Sequence, residues 1–375
     1  MVAFPYYDPP DIDALNAQAV AILKLFAARG YARQEPSVLQ PAEIFLDRSG
    51  EEIRRRTFTL TDPSGRELCL RPDLTIPICQ HAVDAKAALP ARISYNGLAF
   101  RYQPNKPHRP TQFFQAGAEL LGLEDSAAGE REILSLSFDA LRAAGLEDFN
   151  MLFGDLALFG ALVEALNIPA HWGARLKRHF WRAGYVDTLL RRLGDNHTAP
   201  PSRAEIEARI DRYADAPRAG RDREDIVARA MEQAAETASL RLDPVVAGVI
   251  TKLFGISGPA QAAVAELRAL LKAAGIRLDT QMDAMEARLE TIASLGLDLS
   301  RLRFTAHFGR NMEYYTGFVF ELWGRDKEGP VQIAGGGRYD TLMQSLGAGC
   351  AVSAIGCAIR TERVLVARRF AGGSA

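Results

Sequence analysis

The sequence predicts an α+β fold with a mainly antiparallel sheet flanked by helices, interrupted by a helical block. Three observations carry this. Strand-like runs occur before and after a stretch from about 168 to 298, but not inside it; that stretch is rich in Ala, Arg, Leu and Glu at helical spacing. Asp62-Pro63-Ser64-Gly65 is a turn sequence between Thr57–Thr61 and Arg66–Arg71, which makes a hairpin. Strand–helix alternation, the mark of a parallel α/β sheet, is missing. The sequence therefore divides into a core of 1–167 and 299–375, split by a helical subdomain of 168–298.

The first element is a helix over about 12–29. Pro9-Pro10-Asp11 supplies the start, Leu15, Ala19, Ile22 and Phe26 fall on one face, and Gly30 stops it. After the hairpin come two strands, Arg92–Gln103 and Gln112–Leu120, joined by the proline- and base-rich Pro104–Pro110. A helix over about 126–144 follows, then a short strand near Phe149–Phe153 and a helix capped by Asp155. Within the helical block, order is expected to be weakest around Asp195–Gly220. Strands resume at Arg301–Phe308, Tyr315–Trp323 and Val331–Ala334, and a final helix follows Gly356, near Ala358–Arg369.

A chain of 375 residues can bury a large core without staples. Its 46 acids and 45 bases leave a net charge of −1, which excludes a strongly basic nucleic-acid-coating protein. Cys69, Cys79, Cys350 and Cys357 have no C-x-x-C spacing and read as reduced thiols. The start MVAFPYYDPP has neither a basic n-region nor an apolar h-region, and no apolar run approaches the ~18 residues of a membrane span. A cytoplasmic location is expected. The six histidines show no ligand spacing, so no metal and no cofactor is expected.

Several segments have two readings. The period of two along Gln112–Glu119 puts Phe113, Gln115, Gly117 and Glu119 on one face. That face is a pocket floor, with Gly117 leaving a gap, or a solvated sheet face. Tyr95, Gly97, Ala99, Arg101 and Gln103 form a second such set; Arg101 is a fork for a carboxylate or phosphate, or a strand-end surface residue. Gly335-Gly336-Gly337 allows close backbone approach to a ligand, or is a plain strand-to-helix turn. Tyr314 and Tyr315, near Arg310 and Glu313, wall a small polar ligand or pack a strand edge. Arg54-Arg55-Arg56 reads as a solvated charged stretch.

Together these segments resemble the class II histidyl-tRNA synthetases. Phe100-Arg101-Tyr102-Gln103, the following loop and Gln112–Glu119 resemble motif 2; Leu70–Thr75 resembles the substrate loop. Arg310–Glu321 and Gly336–Asp340 resemble the two histidine signatures, Gly356–Arg363 motif 3, and Pro36 fits motif 1. The resemblance implies a class II core with a sheet of about six antiparallel strands, a helical insertion before the first histidine signature, and a homodimer through the motif 1 region. By the same resemblance Glu119 and Tyr315 hold an imidazole, Asp73, Thr75 and Gln115 an α-amino group, and Arg310 a carboxylate. Arg101, Tyr314 and Tyr339 complete that histidine-binding set.

The departures from the synthetase pattern fall mostly on the ATP and tRNA side. Gln103 stands where Glu is usual, Thr111 where an Arg is common, Arg360 where motif 3 has Gly, and Asp73-Leu74 where Glu-Gly is usual. With a dozen residues after Arg363, no anticodon-binding domain is expected, and tRNA is not an expected partner. This pattern resembles the synthetase-like regulatory subunits of ATP phosphoribosyltransferase. That resemblance implies a non-catalytic protein that works with a short-form catalytic subunit in a hetero-oligomer, expected to be a hetero-octamer. It is needed for activity and contributes to feedback by L-histidine on the first step of histidine biosynthesis. The alternative is a truncated synthetase-like enzyme that activates an amino acid with ATP.

Overall fold

A computed structural model of the chain describes residues 7–46, 53–103, 109–168, 170–180, 186, 188–191, 201–212, 223–239, 243–308 and 314–372. The chain falls into two units, Met1–Leu162 with Ile256–Ala375, and Val163–Gly255.

In the first unit the short strands β1 (Ala32–Arg33), β2 (Leu39–Pro41), β3 (Phe58–Thr61) and β4 (Glu67–Leu70) precede the long β5 (Ala91–Phe100) and β6 (Gln112–Leu121). Then come β7 (Asn150–Asp155), β8 (Ser257–Pro259), β9 (Leu302–Thr305), β10 (Phe318–Asp326), β11 (Gly329–Arg338) and β12 (Ala354–Arg360). Nine of the described strands form one sheet in the order β1-β5-β6-β12-β11-β10-β7-β9-β8. The run from β5 to β7 is antiparallel throughout, as the sequence predicts; the parallel pairs are β1 with β5 and β7 with β9. The predicted hairpin is β3–β4, and with β2 it makes a three-stranded sheet.

The helix Pro9–Ala28 packs on Ser126–Ala143 and on Thr361–Gly372, and all three pack on the central strands. Leu15, Ile22 and Phe26 are buried at the expected spacing, and Gly30 takes the positive φ of a helix stop. A second core gathers Phe45, Ile76, Ile78, Cys79, Tyr95, Tyr339 and Leu342 around the helix Thr75–Asp84. The candidate site lies along the edge of this second core.

Residues 354–360 are a strand; the sequence reading places a helix from about Ala358. The helix begins only at Thr361. Gly356-Cys357-Ala358-Ile359 is a short apolar run whose period does not separate strand from helix. Gly335-Gly336-Gly337 is likewise inside β11 and is no turn. A Cβ on Gly336 would run into the Gly356 carbonyl oxygen and lie 2.9 Å from Phe320 and 3.0 Å from the Cys357 Cα. Backbone cannot yield as a side-chain tip can, so Gly336→Ala is expected to cost about 1–3 kcal/mol of stability, read by urea denaturation.

The helical block is also narrower than the 168–298 read from composition. The helices Ala260–Ala273 and Asp279–Ser294 belong to the first unit. Their composition matches the block, but Arg288 reaches into the core: its Nε donates to Glu130 (2.6 Å) and its Nη1 to Asp155 (2.6 Å).

The second unit contains the helices Ala170–His179, Arg203–Asp211, Arg223–Ser239 and Pro244–Gly255. Ser202 and Glu205 form a capping box at Arg203, and Trp172, Leu176, Ile206, Val227 and Ile250 are buried. The stretch read as weakly ordered, Asp195–Gly220, lies outside the described residues except for 201–212. Among the described residues no helix is long and apolar enough to cross a membrane.

Candidate functional site

The substrate-loop segment is held by Arg71. Its guanidinium is buried and donates from Nε to Leu98 O (2.7 Å) and from Nη1 to Pro36 O. Gly97 makes this possible, because a Cβ there would collide with Arg71 Nη2. The loop so fixed delivers Asp73 to the start of the helix Thr75–Asp84, where its Oδ1 accepts from Ile76 N (3.2 Å). Among the described residues its Oδ2 is buried with no hydrogen-bond partner. Burial pushes the Asp73 carboxyl up, with Arg101 opposing that most strongly.

The period of two on β6 puts Gln115 and Glu119 on the pocket face, as the sequence suggests. Glu119 is buried; Oε1 accepts from Thr75 Oγ1 (2.7 Å) and Oε2 from the Tyr339 hydroxyl. Burial is the largest influence on this carboxyl and lifts it to about 7, against the hydrogen bonds from Tyr339, Thr75 and Tyr95. Gly356, opposite Glu119 on β12, is required, since any Cβ would overlap Glu119 Oε2. The gap expected over Gly117 is not ligand space. Tyr95, its partner on β5, fills it with its hydroxyl, which accepts from Gln115 Nε2 (3.3 Å).

Tyr339 reaches Glu119 because its neighbours are tied elsewhere. Arg338 donates to Asp340 (3.1 Å), Ser353 (3.0 Å) and Ser126 O (2.9 Å), and Asp340 accepts from Ala354 N (2.8 Å). Tyr314, Tyr315 and Tyr339 form an aromatic corner, with centroids 4.8, 5.7 and 6.5 Å apart. Tyr315 precedes β10, which starts at Phe318 and not at 315 as predicted.

One pocket is lined by Asp73, Thr75, Arg101, Gln115, Glu119, Tyr314, Tyr315 and Tyr339 together. Of the predicted site residues, Arg310 alone lies outside the described residues, as do Glu313 and most of the Pro104–Pro110 loop. The lining also includes Gln332, Gly335, Cys357, Ala358 and Arg360, which the predicted set omits. Of these, Arg360 carries a sequence signal as a departure from motif 3, and Gly335 as the first of three glycines that allow close backbone approach to a ligand. Gln103 does not line the pocket; its Oε1 accepts from Arg56 Nη2 (2.5 Å), so Arg56 is not merely solvated.

Arg101 and Arg360 line the same pocket, and Arg363 lies near Arg101. Arg101 donates to Pro72 O (2.7 Å) and lies 5.6 Å from the Phe113 centroid; Arg360 sits 3.6 Å from the same centroid. Arg363 donates to Gln332 O (2.9 Å) and is pulled down to about 10, chiefly by burial and then by Arg109 and Arg101. The site thus brings two buried carboxylates, the arginines Arg101 and Arg360 and three tyrosines into one pocket, with Arg101 and Arg360 both close enough to Asp73 to favour its charged form.

The family model described as Histidyl-tRNA synthetase matches residues 4–238 and 222–364. The ATP phosphoribosyltransferase regulatory subunit of Allorhizobium ampelinum is 35% identical over 367 residues, covering 93% of this chain and 97% of that protein. The protein of the same name from Rhizobium meliloti is 33% identical over 372 residues, covering 93% and 96%. A Bacillus halodurans structure described as an ATP phosphoribosyltransferase regulatory subunit/histidyl-tRNA synthetase superposes with a TM-score of 0.70 at 23% identity, over 98% of this chain and 82% of that one. Histidyl-tRNA synthetase from Nostoc superposes with a TM-score of 0.63 at 15% identity, over 99% and 75%. At these identities the two structures establish a shared class II fold.

Proposed function

This chain belongs to the histidyl-tRNA synthetase-like family, among the ATP phosphoribosyltransferase regulatory subunits, and from that premise we propose that it is the non-catalytic regulatory partner of a short-form phosphoribosyltransferase. It is required for that enzyme's activity and conveys feedback by histidine on the first step of histidine biosynthesis. The observation that carries the histidine reading is Asp73 Oδ2, a buried carboxylate oxygen with no hydrogen-bond partner among the described residues, in the same pocket as Glu119.

A free amino acid meets this chemistry. Its ammonium needs acceptors, and Asp73, Thr75 and Gln115 supply them. Its imidazole N–H needs a buried carboxylate; the Glu119 oxygens already accept from Thr75, Tyr339 and Tyr95 and keep a lone pair for a further donor. Tyr314, Tyr315 and Tyr339 flank the ring, and Arg101 with Arg310 takes the α-carboxylate. Two copies pair through the motif 1 region, and these dimers join the catalytic subunit in a hetero-octamer. Histidine acts by favouring one arrangement of that assembly, so ligands of the catalytic subunit must change histidine affinity in return.

Glu119→Ala is expected to weaken histidine binding by about 1–3 kcal/mol, because the imidazole N–H is left without its acceptor. Isothermal titration of L-histidine into wild type and variant reads this; equal affinities would mean that histidine binds elsewhere. Histidine-dependent ATP–pyrophosphate exchange by the folded chain alone is expected to stay at background. Exchange above background would replace the regulatory reading with an adenylating enzyme.

A further inference from the structure

Phe113 and the arginines around it have the parts of a nucleotide site but not its vacancy. Phe113 is an aromatic platform, and Arg101, Arg109 and Arg363 lie close enough that the first two depress the third. An aromatic face beside clustered arginines suits a base and its phosphates. The register decides what lies on that face. Gln115 on β6 is paired with Arg360 on β12, and Phe113 lies two residues before Gln115 on the same face. Cross-strand diagonal neighbours are within reach of a long side chain. The Arg360 guanidinium carbon accordingly lies over the Phe113 ring, 3.6 Å from its centroid, the separation a stacked base would occupy.

We infer that Arg360 is a specificity-determining plug: it covers the Phe113 face, excludes adenine nucleotides from the pocket, and leaves room for a free amino acid only. The carboxyls of Asp73 and Glu362 lie close enough to feel the Arg360 charge, and Arg360 itself lines the pocket. Arg360 is the last residue of β12, so truncating it removes no ladder residue from the strand interior. The inference rests on the amino-acid reading of the pocket for what the plug leaves admitted, but the exclusion itself stands on the stack.

The test is anisotropy of a fluorescent ATP analogue, mant-ATP with magnesium, against wild type, Arg360→Ala and Arg360→Gly. Each protein is first shown folded by its thermal melt. Both variants are expected to bind mant-ATP about tenfold or more tightly than wild type, the scale of one stacked base. Adding Phe113→Leu to Arg360→Ala should abolish the gain. Variants that bind no better than wild type overturn the plug. So does a gain that survives Phe113→Leu, which would place the nucleotide off the ring. Wild type binding mant-ATP in the micromolar range overturns it without any variant. L-histidine titrated into wild type in the same series keeps the two claims apart: failure there removes the amino-acid reading and leaves the nucleotide comparison intact.

Discussion

Arg288→Met is expected to destabilise the protein by about 3–5 kcal/mol, the cost of removing one member of a buried charge network. Arg288 bridges Glu130 and Asp155 and lies 5.0 Å from the Phe318 centroid. All three charges are almost wholly buried, with side-chain exposures of 12%, 8% and 4%, so water cannot replace the lost partner. Burial draws the guanidinium down, but Asp155 and Glu130 outweigh it and hold Arg288 above the usual range. Removing Arg288 strands Asp155; Glu130 keeps a longer contact to Arg338 at 3.5 Å. Urea denaturation gives the loss, and Arg288→Met with Asp155→Asn should recover part of it, since the uncompensated charge is then gone. A single-variant loss under about 1 kcal/mol would mean the network is not formed in solution.

The pH dependence of stability is the second large expectation. Glu119 is raised from its ordinary 4.5 to about 7 in the folded state, mainly by burial. Between those values the native protein holds a proton that the unfolded chain has released. Stability therefore falls as pH rises from about 4.5 to 7 and levels off above 7, by about 3 kcal/mol from this group. Asp73 is shifted the same way, so wild type alone does not isolate Glu119. Glu119→Gln does, because its amide does not titrate. The wild-type decline minus the variant's, from urea midpoints at each pH, should appear in this window. Parallel curves would mean that Glu119 is ionised at its ordinary pKa.

The sequence carried most of the core sheet because each long strand alternates or is bounded by a turn. It carried the pocket for a related reason: period two is enough to align Gln115 and Glu119, and motif resemblance adds Asp73, Thr75 and Tyr339. What it did not carry depends on pairing between distant strands. Gly117 reads as open space until the register sets Tyr95 beside it. Gly335–Gly337 reads as a turn until Gly356 is found packed against it. Arg360 reads as a departure of unknown direction until β12 lies against β6. Composition failed at Ala260–Ser294 in the same way, since helical periodicity says nothing about which body a helix packs on.

We propose that this chain senses histidine on behalf of another protein's active site. The most direct measurement is the phosphoribosyltransferase rate of a short catalytic subunit, with and without this chain, across an L-histidine titration. The account predicts activity that appears only when both proteins are present. It further predicts inhibition by histidine whose midpoint rises about ten- to a hundredfold with Glu119→Ala, the affinity loss expected of an unpaired buried N–H. A catalytic subunit equally active and equally inhibited without this chain would contradict it.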